Sequence, residues 1–137
     1  SDTFMPTMEA HGIDTIFLVA PTTTQERMAR IAQHAKGFIY YVSLKGVTGS
    51  ATIDVSQLGD KLTEIKQFTD LPLGVGFGIR DGQSAAAVSD VADAVVVGST
   101  LVNCIAEHEQ NPESLPAALA GLIAEMRHAI NARDMAK

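Results

Sequence analysis

Tryptophan is absent from this chain, Phe and Tyr bring the aromatic share to only 5%, and cysteine occurs once, as Cys104. One thiol cannot close an intrachain disulfide, so packing and not a covalent framework must hold the fold. No stretch of about 18 apolar residues is present to form a spanning helix, and no charged segment followed by an apolar one marks a secretion signal. Lys and Arg number 10 against 16 Asp and Glu, giving a formal net charge of −6, and no basic run occurs. Such a surface has no grip for a phosphate backbone or an anionic membrane. Metal-ligand spacings of His, Cys, Asp or Glu are also missing. These absences predict a soluble protein of a reducing cytoplasm, with neither nucleic acid nor membrane as partner.

What remains is aliphatic. A chain of 137 residues with 46% hydrophobic and 19% charged content can bury one sizeable core, so a single domain over 1–137 without a linker is expected. Ala, Val, Ile and Leu supply most of that content, a mixture suited to α/β folds whose strands are covered on both faces. The chain begins Ser1-Asp2-Thr3, which reads as a processed or truncated start.

Four short apolar runs, Asp14 to Ala20, Gly37 to Ser43, Leu73 to Phe77 and Asp93 to Gly98, lack polar alternation and read as buried parallel strands. Amphipathic segments separate them. Thr24 to Ala35 puts Met28, Ile31, Ala32 and Ala35 on one face, and Val55 to Phe68 does the same with Leu58, Leu62, Ile65 and Phe68. A helix is expected from about Thr3 to His11, another from Asp81 through Val91, and another from Ser99 to about Glu107. Asn111-Pro112-Glu113 reads as the N-cap and first turn of a last helix to about Ala132. Repeated βα units build either an open doubly wound sheet or a barrel, and periodicity does not choose between them.

The working face of either fold lies at the C-terminal ends of the strands. There, Gly76-Phe77-Gly78 and Gly98-Ser99 let backbone N–H groups approach an anion, the second at a helix start. In (β/α)8 barrels a phosphate site forms from the loops after the last two strands and a short extra helix, here Ser99 to Glu107. Each motif alone also reads as an ordinary turn or cap; the combination points to phosphate. Ser43 to Ser50, punctuated by Gly46 and Gly49 and rich in hydroxyls, reads as a lid or as a solvated crossover loop. Lys45 within it could offer charge to a phosphate or simply be a surface lysine.

Tyr40 and Tyr41 are adjacent on a strand and must face opposite ways, so one of them can touch a ligand. Phe77 is either a flat wall for an aromatic ligand or a core plug. His11, His34, His108 and His128 read as surface or capping residues, and Cys104 as a packed thiol with no base nearby in sequence. Asp14 and Asp93 precede their strands and belong to the opposite, stabilising end. Asp54 and Asp81 lie nearest the working face, but helix capping accounts for both. General acid–base chemistry is thus poorly provided for.

Ile16-Phe17-Leu18-Val19-Ala20-Pro21-Thr22-Thr23, Gly37-Phe38-Ile39-Tyr40-Tyr41-Val42-Ser43, Gly46-Val47-Thr48-Gly49, Gly74-Val75-Gly76-Phe77-Gly78-Ile79 and Val97-Gly98-Ser99, in this order, resemble the tryptophan synthase alpha chain from just before its fifth strand to its C-terminus. The resemblance implies half of a (β/α)8 TIM barrel: four parallel βα units with a short extra helix after the last strand. It implies a lyase of tryptophan biosynthesis that cleaves indole-3-glycerol phosphate to indole and glyceraldehyde 3-phosphate. Indole passes to a beta chain that carries pyridoxal phosphate, and no cofactor belongs to the alpha chain itself. By position in the matching motifs, Gly49, Gly76, Gly78, Gly98 and Ser99 would hold the substrate phosphate, Tyr40 and Phe77 would line the indole pocket, and Thr48 would be the lid hydroxyl. Leu44 and Lys45 stand where relatives carry a more polar or basic pair.

The resemblance also implies that the acid–base glutamate and aspartate lie in an N-terminal half that this chain does not contain. Eight strands need about 250 residues, so the isolated chain is expected to be inactive. It would expose two strand edges and an apolar inner face, favouring pairing of two half-barrels or aggregation. Two other readings stand beside this one. One is a non-catalytic phosphate-binding or assembly half-barrel. The other is a different phosphate-binding barrel of histidine-biosynthesis or phosphoribosylanthranilate type, against which the Gly-Val-Thr-Gly segment argues.

Overall fold

Parallel strands need a crossover between each pair, and every apolar run here is followed by a segment able to provide one. The computed structural model describes residues 4–42, 54–76 and 78–136. Helix α1 (Phe4–Ala10) precedes β1 (Phe17–Val19), α2 (Gln25–His34), β2 (Ile39–Tyr41), α3 (Val55–Lys66), β3 (Leu73–Val75), α4 (Gly82–Ser89) and β4 (Ala94–Val95). Helix α5 (Ser99–Glu107) and, after a 3-10 turn at Pro112–Ser114, helix α6 (Leu115–Asp134) complete the described chain.

Local chemistry sets the helix starts. The Thr24 hydroxyl accepts the Arg27 N–H at 3.3 Å to open α2, and the Asp54 carboxylate accepts from Ser56 and Gln57, each at 3.1 Å, to open α3. A reciprocal capping box opens α4: Asp81 accepts the Ser84 N–H at 2.8 Å, and the Ser84 hydroxyl accepts the Asp81 N–H at 3.2 Å. Caps of this kind contribute about 1 kcal/mol each. Asn111 departs from expectation, because it makes no side-chain cap. Pro112–Ser114 instead form the tighter turn, with Ser114 Oγ donating to the Asn111 carbonyl at 2.9 Å, and α6 proper begins at Leu115.

The strands are shorter than the apolar runs suggest, since loops turn away at both ends of each ladder. Pairing still reaches one residue further: Val42 donates to Val19 at 2.8 Å, Gly76 to Tyr41 at 3.2 Å and Val96 to Val75 at 2.8 Å. All three strand pairs are parallel and the order is β1-β2-β3-β4. Right-handed crossovers that always add the next strand on the same side put every helix on one face of the sheet. A doubly wound sheet reverses its order part-way, so this order is that of a barrel wall.

Alternation sorts the two faces. Val19, Ile39, Tyr41, Leu73 and Val75 are buried toward the helices, joining Met28, Leu58, Leu62, Ile65, Val88 and Met126 in one core. Leu18, between Phe17 and Val19, points the other way and is 62% exposed. Phe38 and Tyr40 share that inner face by the same alternation. At the N-terminal end of the sheet, Asp93 Oδ2 accepts the Leu73 N–H at 2.8 Å and meets Lys66 Nζ at 2.9 Å, so Asp93 fastens strands at the stabilising end, as expected. Helix α6 lies against α4, with Glu125 Oε1 accepting the Gly82 N–H at 3.2 Å and Arg133 Nη2 paired with Asp90 at 2.5 Å.

Candidate functional site

Two chain segments meet at the C-terminal ends of β3 and β4. Gly78 follows β3 with φ +66, a left-handed conformation that strains any residue with a Cβ. Its neighbour Ile79 is buried, and the Ile79 carbonyl accepts a 2.6 Å hydrogen bond from Thr100 Oγ1 in the first turn of α5. The loop carrying Gly78 and the helix start formed by Gly98 and Ser99 are thereby tied together, 21 residues apart in sequence. Gly98 and Ser99 are exposed, and a Cβ built on Gly98 would meet nothing within 4 Å, so open space adjoins it. The first N–H groups of α5 have no acceptor within the helix and lie at its positive dipole end.

Gly76 and Tyr40 are in close contact on the inner face. A Cβ built on Gly76 would run into Tyr40 Oη, and one on Gly74 would come within 3.1 Å of the Phe38 ring. Tyr41 faces the helices instead, where burial first and the Glu64 carboxylate second raise the pKa of its hydroxyl. Of the expected site residues, Tyr40, Gly76, Gly78, Gly98 and Ser99 line the inner and C-terminal side of the sheet. Lys45, Thr48, Gly49 and Phe77 lie outside the described residues.

Both carboxylates near this end are helix caps. The Ser84 N–H, then the Ser84 hydroxyl, hold the Asp81 carboxyl below the usual aspartate range, which suits an acceptor and not a proton donor. Asp54 is occupied by two N–H groups at the head of α3.

Cys104 is a buried thiol, as expected, although a histidine ring reaches it. His108 Nδ1 lies 3.9 Å from its sulfur, one helical turn on. The same nitrogen sits 2.8 Å from the Cys104 carbonyl, so it serves as the hydrogen donor that closes α5. His11 Nδ1 stands likewise 2.8 Å from the Thr7 carbonyl at the end of α1. Thr100 and Glu125 were not singled out in the sequence, because their roles depend on partners 21 and 43 residues away.

The family model described as tryptophan synthase alpha chain matches residues 1–131. The chain belongs to the tryptophan synthase alpha chain family. It is 61% identical over 124 residues to the tryptophan synthase alpha chain of Thioalkalivibrio sulfidiphilus, covering 90% of this chain and 47% of that protein. With the Marinobacter nauticus alpha chain it shares 50% identity over 131 residues, or 96% of this chain and 48% of the relative. The chain thus spans about half the length of the curated relatives it matches.

Solved structures agree. Tryptophan synthase subunit alpha from Legionella pneumophila superposes with a TM-score of 0.82 at 38% identity, over 95% of this chain and 47% of that one. Tryptophan synthase from M. tuberculosis in its aminoacrylate-bound form gives 0.73 at 32% identity, over 93% and 44%. These neighbours are TIM barrels, so the alpha-chain sheet described above is half of a (β/α)8 barrel wall.

Proposed function

We propose that this chain supplies the phosphate- and indole-binding part of a tryptophan synthase alpha chain, a lyase that cleaves indole-3-glycerol phosphate to indole and glyceraldehyde 3-phosphate. The observation that carries the reading is the Thr100–Ile79 hydrogen bond, which holds the Gly78 loop beside the Gly98-Ser99 helix start. Backbone N–H groups from two such segments can share one dianion without a cationic side chain. Gly49 and Gly76 complete the phosphate cradle, and Tyr40 and Phe77 form walls for the indole ring. Thr48 acts as a lid hydroxyl.

Retro-aldol cleavage removes a proton from the glycerol chain and returns one to the indole carbon that leaves. Asp54 and Asp81, both engaged as caps, are unsuited to these transfers, and residues 43–53 contain no carboxylate. The acid–base groups therefore come from residues outside this chain, which is inactive alone. Its partners are the pyridoxal-phosphate-dependent beta chain in the complete enzyme and, in isolation, a second half-barrel.

Mixing the chain with a separately made N-terminal half of a relative and assaying indole release tests this. Release from the mixture and from neither half alone is the expected result. An assembled complex that binds glycerol 3-phosphate nowhere near Gly78 and Ser99, followed by backbone amide shifts, would overturn it.

A further inference from the structure

On the inner face, β2 and β3 present two aromatic rings against two glycines. Tyr40 lies over Gly76, and Phe38 lies over Gly74, whose missing Cβ would sit 3.1 Å from the Phe38 ring and 3.6 Å from Val96 Cγ2. Neither ring faces the core between sheet and helices, because Ile39 and Tyr41 occupy those positions. Both glycines are buried while both rings remain half-exposed toward the interior. Without the glycines the rings would stand further from the sheet and fill the interior.

Depth along the strands decides which ring a ligand can reach. Gly74, within β3, lies two residues or about 7 Å deeper than Gly76 at a rise of about 3.3 Å per residue, so Phe38 sits below Tyr40 as seen from the Gly78 turn. A phosphate carrying a three-carbon tether and a fused bicyclic ring extends roughly 10 Å at bond lengths of about 1.5 Å. An aryl group anchored by its phosphate at Gly78 and Ser99 would pass Tyr40 and end just above Phe38. We propose that Phe38, recessed by Gly74, is the floor of the aryl compartment and sets how large an indole the site accepts. The inference rests on the phosphate anchoring given under Proposed function.

The chain contains no tryptophan, so the fluorescence of an indole ligand can be excited to the red of tyrosine without protein background. The probes are 3-(indol-3-yl)propyl phosphate, its 5- and 6-methyl derivatives, and propyl phosphate as the ring-free control, which is read by competition. Gly74→Ala, which raises the floor, is expected to lower the preference for indolylpropyl over propyl phosphate about tenfold. Phe38→Leu, which adds no atoms and is the safer variant for folding, is expected to raise methylindole binding relative to the parent indole about fivefold, with propyl phosphate unchanged. A general loss of packing would weaken all probes alike and leave these ratios fixed. If the unaltered chain binds neither phosphate, the proposed function falls and this inference with it. If it binds both and the variants leave the ratios within about twofold, only the inference falls.

Discussion

The Thr100 hydroxyl and the Ile79 carbonyl stand 2.6 Å apart, joining the turn after β3 to the first turn of α5. Thr100→Val keeps the shape but leaves a partly buried carbonyl unpaired, which costs about 1–3 kcal/mol. Urea unfolding should show that loss, and phosphate affinity should fall with it. A variant that keeps full stability and full phosphate binding would mean the bond does not organise the site.

Gly76 should tolerate no side chain while Tyr40 is in place. Overpacking of this kind costs about 1–3 kcal/mol, so Gly76→Ala is expected to lower the denaturation midpoint. In a Tyr40→Ala background the same change should cost far less. The double-mutant coupling measures the contact directly, and additive effects would show that the ring moves aside freely.

Acid stability should depend on Asp93. The Leu73 N–H first and Lys66 second hold its carboxyl below the ordinary aspartate value. A depressed carboxylate stabilises the fold above its unfolded pKa, near 3.9, and the gain disappears as pH falls through the lower native value. Asp93→Asn should therefore flatten the acid limb of a stability–pH curve below about pH 4 while shifting its neutral plateau only modestly, because the side chain is partly exposed. An unchanged acid limb would contradict the assignment.

Leu18, 62% exposed on the inner face of edge strand β1, should promote association of the isolated chain. Sedimentation velocity is expected to show oligomers that dissociate in Leu18→Lys, since a charge on an edge strand disfavours pairing. A monomer at all concentrations in the unaltered chain would contradict this.

Much of this architecture was legible beforehand. Helix boundaries at Thr24, Asp54 and Asp81 follow from side chains that bond within three residues of themselves, a relationship that sequence displays directly. Periodicity did not choose between barrel and open sheet, because strand order depends on which neighbour each strand meets and all four apolar runs look alike; the ordered motifs and the family they resemble pointed to the barrel, and the strand order agrees. Alternation made Tyr40 and Tyr41 diverge without saying which faces inward; the resemblance named Tyr40, and the burial of Ile39, Tyr41 and Val75 toward the helices puts Tyr40 on the inner face. The glycines of the candidate site stood out as motifs. The hydroxyl of Thr100 and the carboxylate of Glu125 did not, since nothing local marks a partner so distant along the chain.

Glu125 and Arg133 reach back from α6 to Gly82 and Asp90, at the two ends of the helix that follows the Gly78 turn. On the ribosome, that turn must wait for α6 to emerge before its support is complete. Nascent chains halted before Glu125 should therefore carry a loosely held anion loop on an otherwise formed sheet, and the chance to bind phosphate arrives only once α6 has left the exit tunnel.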